Sequence, residues 1–235
     1  MAIVLIKANK GGVGKSWITL QLAHYFALKN KKVLVLTSDS QNNIPDFAGV
    51  SINTSACLEK LILNGTCELV DLRENLYYIP FGSISIDHLK HKFESVINSI
   101  KTQFDFIFID ATPVLNLDKV FVDIADQIII PAFLDMVTMD SILTLLDNVP
   151  PKKVKAIMPN RAGRCSLEDV YYDSLKSVVG SLIYLSVPIK QSAFISRMID
   201  GGKTIWESKS KQAIELQSIF HPVLKIIGSD KNDKK

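Results

Sequence analysis

Residues 3–16 read Ile3-Val4-Leu5-Ile6-Lys7-Ala8-Asn9-Lys10-Gly11-Gly12-Val13-Gly14-Lys15-Ser16, and the fold turns on them. An apolar run of strand length empties into a glycine-rich loop that ends in Lys-Ser at the head of a helical segment. That succession is a phosphate cradle. Its glycines let consecutive backbone N–H groups turn inward, Lys15 reaches the outer phosphates, and the Ser16 hydroxyl is placed to ligate Mg²⁺. The N-terminal end of the following helix directs its dipole at the same point. The common spacing G-x-x-x-x-G-K-[ST] asks for glycine at position 9. This chain has Asn9 there, and a second lysine, Lys10, at the front of the loop.

The remaining composition sets bounds on what surrounds that loop. At 235 residues, 47% hydrophobic and 22% charged, the chain has the balance of an ordinary globule. It is long enough for one well-buried core. The expected organisation is a single domain over residues 1–228 with a disordered tail at 229–235, whose end is Asp230-Lys231-Asn232-Asp233-Lys234-Lys235. Cys57, Cys67 and Cys165 form no C-x-x-C pair and no zinc spacing, which points to a reducing, cytoplasmic setting with inert thiols. The first apolar run is too short for a signal-peptide core. No stretch reaches the ~18 consecutive apolar residues of a membrane span.

Charge is uneven along the chain. Residues 190–235 hold eight Lys and one Arg against five acids, a surplus of four, whereas residues 1–189 hold eighteen bases against nineteen acids. The formal net charge of +3 therefore resides in the last fifth of the sequence. Two readings stay open: a lysine-rich solvated helix with a frayed tail, or a weak, salt-sensitive footprint for polyanions.

Strand-like apolar runs occur at residues 3–7, 32–37, 76–79, 104–109, 127–131, 154–158 and 182–187. Helix-period segments lie between most of them, at 16–28, 54–63, 86–101, 138–146 and 166–178. Several strands are apolar throughout, as parallel strands covered on both faces must be. The alternation gives an α/β fold, a doubly wound and mostly parallel sheet with helices on both faces and its ligand at the C-terminal strand ends.

Three further positions fall where a nucleotide enzyme needs chemistry. Phe106-Ile107-Phe108-Ile109-Asp110 is an apolar strand ending in an acid, the Walker B arrangement, whose carboxylate can hold Mg²⁺ through water. Asp39 stands at another strand end, where it can orient an attacking water. Asn160 follows Ile157-Met158-Pro159, where its amide can pair with an adenine edge. Singly, an acid after a strand is most often a cap or turn residue, and Asn after Pro a turn. Together with the loop they favour a nucleotide site. Trp17 either plugs the helix–sheet interface or stacks on the nucleotide. Arg161 and Arg164 read as solvated loop residues, and His24, His88, His91 and His221 show no ligand pairing.

Taken together, these residues resemble the ParA/MinD superfamily. Lys10-Gly11-Gly12-Val13-Gly14-Lys15-Ser16 matches its deviant Walker A motif, Asp39-Ser40-Gln41 its Asp-Pro-Gln stretch, and Phe104 through Pro113 its Walker B and switch. The region from Val187-Pro188 through Lys211 is similar to its C-terminal portion. The resemblance implies an ATPase whose two ATP-bound protomers form a homodimer, with Lys10 reaching across to the partner's phosphates. Gly11 to Trp17 and Asn160 would bind nucleotide, Lys15 would hold the β- and γ-phosphates, Ser16 and Asp110 would hold Mg²⁺, and Asp39 would position water.

ParA-type members bind nonspecific DNA through C-terminal basic residues, which here correspond to Arg197, Lys203, Lys209 and Lys211. The resemblance thus implies a partition ATPase, nucleoid-associated in the cytoplasm, that works with a ParB-like partner stimulating hydrolysis. Because the ATPase region starts at residue 2, the short type without an operator-binding module is expected. Two alternatives stay open: a slowly hydrolysing, nucleotide-gated recruitment module, and a MinD-like membrane-docking ATPase. The latter is disfavoured because the last apolar helix, residues 213–227, contains Pro222 and reads as core packing through Ile214, Leu216, Ile219, Phe220, Val223, Leu224 and Ile227. An iron–sulfur reductase relative is disfavoured by the cysteine placement. The family often reads Asp-x-Asp-Pro-Gln-Gly-Asn where this chain has Thr37-Ser38-Asp39-Ser40-Gln41-Asn42-Asn43, so slow hydrolysis is expected from the missing first acid.

Overall fold

Ile3 and Leu5 belong to one apolar cluster while Ala2, Val4 and Ile6 belong to another, so the first strand alternates between two buried faces. The computed structural model describes residues 1–39, 41–52, 58–80, 90–112, 115–163 and 165–229. Its strands are β1 (Ala2–Ile6), β2 (Val33–Thr37), β3 (Val70–Arg73), β4 (Leu76–Ile79), β5 (Phe106–Asp110), β6 (Gln127–Ala132), β7 (Val154–Ala162), β8 (Tyr184–Leu185) and β9 (Ile189–Lys190). They lie in the order β3-β4-β2-β5-β1-β6-β7-β8, with β9 paired to β7. Every pair is parallel except β3–β4.

The helices are α1 (Lys15–Ala27), α2 (Asn43–Ala48), α3 (Leu58–Asn64), α4 (Lys90–Ile100), α5 (Leu115–Ile124), α6 (Met136–Asn148), α7 (Glu168–Val179), α8 (Ala193–Asp200) and α9 (Lys211–Ser229). One face of the sheet packs on α3 to α7 through residues such as Leu61, Phe93, Phe121, Ile142 and Leu175. The other packs on α1, α2 and α9 through Ile18, Phe26, Ile44, Phe220 and Leu224. This is the doubly wound, mostly parallel α/β sheet with helices on both faces. β1 lies between β5 and β6, so the loops after β1 and β5 emerge side by side at the C-terminal edge, where such folds bind ligands.

Several elements depart from the sequence reading. The 182–187 run yields only the two-residue β8, and the antiparallel β3, with half-exposed residues, was missed. β7 runs through Pro159 and Asn160 to Ala162 because the chain changes partner there, pairing Asn160 with Ile189 of β9. Asn160 is therefore a strand residue and not a turn. α2 is six residues long, too short to display a period. α5 also lay outside the sequence reading, although three consecutive apolar residues in it, Val120, Phe121 and Val122, are buried. α9 packs as expected with Pro222 inside it, except that Ile214 is 56% exposed and faces away from the core. Among the described residues no helix is long and apolar enough to cross a membrane. Expectations at Ser40, Cys57, His88, Pro113, Arg164 and the tail beyond Ser229, and those for the front ends of the 54–63 and 86–101 helices, lie outside the described residues.

Candidate nucleotide site

The loop between β1 and α1 adopts a backbone that few residues other than glycine tolerate. Gly12 has φ 75° and Gly14 φ 89°. A Cβ at Gly14 would collide with Asn160 Nδ2 and displace it from its bond to Val13, on top of the strain of the positive φ. Gly14 is also the N-cap of α1, and no side chain caps that end. The first turn carries no acid, so its N–H groups and dipole are left for an anion. Lys15 and Ser16 open the helix there.

Asn160 braces this loop from β7. Its Nδ2 donates to the Val13 carbonyl at 2.9 Å, and its Oδ1 accepts from the Arg161 N–H at 2.9 Å. Each end of the amide keeps one further hydrogen-bonding capacity. Trp17 is 5% exposed and packs edge-on against Phe220 of α9, ring centroids 5.8 Å apart, which is the plug geometry. Together with Gly14, Lys15, Asp39 and Asn160 it also borders a cavity of about 410 Å³, a size suited to a small-molecule ligand. Arg161 is exposed and borders the same cavity.

Asp110 ends β5 beside this loop. It is 2% exposed, yet its Oδ1 has no hydrogen-bond partner. Burial pushes the carboxyl up to about 6, against the Ser16 hydrogen bond and the Lys15 charge that draw it down, and the Asp39 charge adds to the rise. An orphaned, buried carboxylate oxygen beside a serine hydroxyl fits a hard cation such as Mg²⁺, which takes oxygen ligands and retains water. Asp39 is half-buried, and its Oδ1 accepts from the Gln41 N–H at 3.0 Å.

Lys10 is placed differently from Lys15. Its Nζ lies 2.9 Å from Asp135 Oδ2 and 3.2 Å from Oδ1, and 5.3 Å from the Phe133 ring centroid. It does not line the cavity of its own chain. Asp135 is the N-cap of α6 and accepts the Thr138 N–H at 2.8 Å. Partial burial pushes the Asp135 carboxyl up, and the Lys10 and Thr138 hydrogen bonds more than offset this, leaving it below the usual carboxylate range. Asp135 escaped the sequence reading although an aspartate immediately ahead of an apolar period is a helix-start signal.

The cavity's far wall was also missed. Ile195, Ser196 and Ile199 of α8 face Asn43 and Phe47 of α2 across it. The two walls are tied by Arg73, which donates to the Ala48 carbonyl at 2.9 Å, the Gly202 carbonyl at 2.7 Å and the Glu207 carboxylate at 2.9 Å. Glu207 accepts from the Thr204 N–H, and the Thr204 hydroxyl meets His24 Nδ1 of α1 at 2.7 Å. Burial lowers the His24 pKa to about 4, so the ring is neutral. Arg197 lies on the outer side of α8, and it, Lys203, Lys209 and Lys211 are all exposed.

A family model described as an AAA domain matches residues 1–158. Maintenance of carboxysome distribution protein A of Synechococcus elongatus is 28% identical over 163 residues, covering 63% of this chain and 65% of that protein. The fold is similar to an ATP complex of a variant McdA from Cyanothece, with TM-score 0.81 and 19% identity over 97% of this chain and 96% of that one. It is also similar to a putative plasmid partition protein from Borrelia burgdorferi B31 bound to AMPPNP, with TM-score 0.75 and 20% identity over 95% of this chain and 98% of that one.

Proposed function

The chain belongs to the AAA-domain family of ParA/MinD-type P-loop ATPases, and from that membership we propose that it is an ATP-clamped homodimer that binds nonspecific DNA and segregates DNA or positions another cargo. The observation that carries the proposal is the split between its two loop lysines. Lys15 opens α1 on the cavity, whereas Lys10 stands outside its own cavity on Asp135. A cation seated outside its own site on Asp135 would exchange that carboxylate for a second protomer's triphosphate, which makes dimerisation depend on ATP.

Within each site the β- and γ-phosphates would rest on the loop amides and Lys15. Asn160 would use its remaining donor and acceptor on the adenine edge, with Trp17 backing the loop. Mg²⁺ held by Ser16 and Asp110 would neutralise charge on the phosphate oxygens. Asp39 would orient a water in line with the γ-phosphorus; as the new P–O bond forms, the bond to the β-phosphate's bridging oxygen breaks, a water proton passes to a γ-phosphate oxygen, and ADP and hydrogen phosphate leave. Hydrolysis would release the clamp, slowly until a ParB-like partner accelerates it. Arg197, Lys203, Lys209 and Lys211 would contact DNA phosphates without base readout. Their exposure and the C-terminal charge surplus support this; the Borrelia plasmid partition protein is in keeping with DNA segregation, and the Synechococcus carboxysome distribution protein with the positioning of another cargo. The site of action would be the nucleoid.

The test is binding to nonspecific duplex DNA with ATP, ADP or no nucleotide across a salt series, with Lys10→Ala in parallel. The proposal expects ATP-dependent binding that weakens with salt and is absent in the variant. ATP-dependent dimers without DNA affinity would overturn the DNA part of the reading.

A further inference from the structure

Thr37 and Asp110 are register partners at the ends of β2 and β5, and from that point the two chains are stitched together by hydroxyls. The Thr37 hydroxyl donates to the Asp110 carbonyl at 3.3 Å and accepts the Asp39 N–H at 2.9 Å. One residue on, the Ser38 N–H donates to the same Asp110 carbonyl at 3.0 Å. The Thr112 N–H donates to Ser38 Oγ at 2.8 Å, and the Thr112 hydroxyl donates to the Ser38 carbonyl at 3.1 Å. The two hydroxyl oxygens lie 3.1 Å apart. Because the Thr112 proton is committed to the Ser38 carbonyl, Ser38 is the donor in that last pair, and all the bonds are satisfied at once.

These hydroxyls are not surface decoration. Thr37 is 1% exposed and Ser38 3%. Valine at 37 would fill the same volume without a polar atom to satisfy, so burial alone does not call for the hydroxyl. What the bonds connect is specific: one segment carries Asp39, the other Asp110. The Thr37 oxygen touches the backbone of both, so a shift of Asp110 displaces the amide that sets Asp39.

We propose that Thr37, assisted by the Ser38–Thr112 hydroxyl pair, is a positioning bridge that holds the Asp39 backbone in register with the Asp110 backbone and so keeps the water-orienting group in place. The bridge stands on the hydrolytic reading given above. It assigns a neutral, structural-link role to the position where the resemblance led one to look for a second acid. Thr37 is a positioning residue, since its hydroxyl bonds only to the backbones of Asp39 and Asp110.

The experiment compares the full-length wild type with Thr37→Val, Thr37→Ser and the double variant Ser38→Ala/Thr112→Val. It reads kcat and KM for ATP, and amide hydrogen exchange over residues 37–42 and 110–112. Thr37→Val removes both hydroxyl bonds, of which the one to the Asp39 amide positions the water-orienting group, and is expected to lower kcat about tenfold with KM within about twofold. Thr37→Ser restores kcat, and the double variant lowers it in the same way as Thr37→Val. Exchange rises in both segments of Thr37→Val while the central strands stay protected. Unchanged kcat in Thr37→Val, or a joint loss of kcat, KM and global protection, overturns the bridge. If the wild type itself does not turn over ATP, the hydrolytic reading fails, and the exchange arm still decides: faster exchange in both segments supports the mechanical link, and a rise confined to 37–42 overturns it.

Discussion

Asp110→Asn should make the nucleotide-free protein more stable and unable to use Mg²⁺. The folded chain holds the Asp110 proton up to about pH 6, whereas an ordinary carboxyl releases it at 3.8. Between those values the folded state binds more protons than the unfolded one, so stability from this group falls as pH rises through the window and stays lost above it. The interval from 3.8 to about 6 corresponds to about 3 kcal/mol of destabilisation at pH 8. Asparagine keeps the shape and removes the charge, but its amide also needs partners, so the net gain should be about 1–3 kcal/mol. In a chain of this size that is a Tm rise of about 5 °C. The assay is thermal and urea unfolding of both proteins at pH 8 and pH 4, with and without Mg-ADP. The gain should appear at pH 8 and close at pH 4, where wild-type Asp110 is already neutral. Mg-ADP should stabilise the wild type far more than the variant. Equal or lower stability of the variant at pH 8, or the same gain at both pH values, would refute the buried-charge argument.

The other predictions probe the loop and its supports. Asp135→Asn keeps a competent N-cap while removing the charge under Lys10. Because that pair is partly exposed, unfolding free energy should change by less than about 1 kcal/mol, while sedimentation shows a tighter ATP-dependent dimer. Gly14→Ala meets both the positive φ and the Asn160 amide; calorimetry should find no ADP binding in a variant whose circular dichroism is native. His24 is held neutral with a pKa of about 4 against an ordinary 6.5, so the unfolded state binds the extra proton between those values. Its contribution, about 3 kcal/mol, is complete above pH 6.5 and lost as pH falls toward 4. Asp110 runs the opposite way over an overlapping range, so the slope should emerge in urea titrations of Asp110→Asn and flatten when His24→Gln is added.

The all-apolar parallel strands and the glycine-rich turn between β1 and α1 were legible because each is a local pattern, whereas the acid closing Phe106–Asp110 has several local meanings and drew its reading only from the loop beside it. The two-sided burial of β1 was legible in the same local way, because an unbroken apolar run of strand length admits helices on both faces. What sequence could not supply was set by partners distant in the chain. Nothing around Asn160 announces that β9 extends its strand or that its amide will meet Val13. Thr37 looked like a missing acid until its register with Asp110 gave the hydroxyl two partners. Lys10 carried the signal of an unusual lysine, but its seat on Asp135 depends on a contact across more than a hundred residues. The helices that escaped, α2, α5 and α8, are short, at six, ten and eight residues, so each shows three turns of its period at most.

The clamp rests on Lys10 serving a second protomer, and sedimentation velocity with ATP, ADP or no nucleotide, all with Mg²⁺, tests it on wild type and Lys10→Ala. The account predicts a dimer of the wild type with ATP alone, and a Lys10→Ala protein that binds ATP but remains monomeric. A wild type that stays monomeric at saturating ATP, or a variant that dimerises as readily as the wild type, would contradict it.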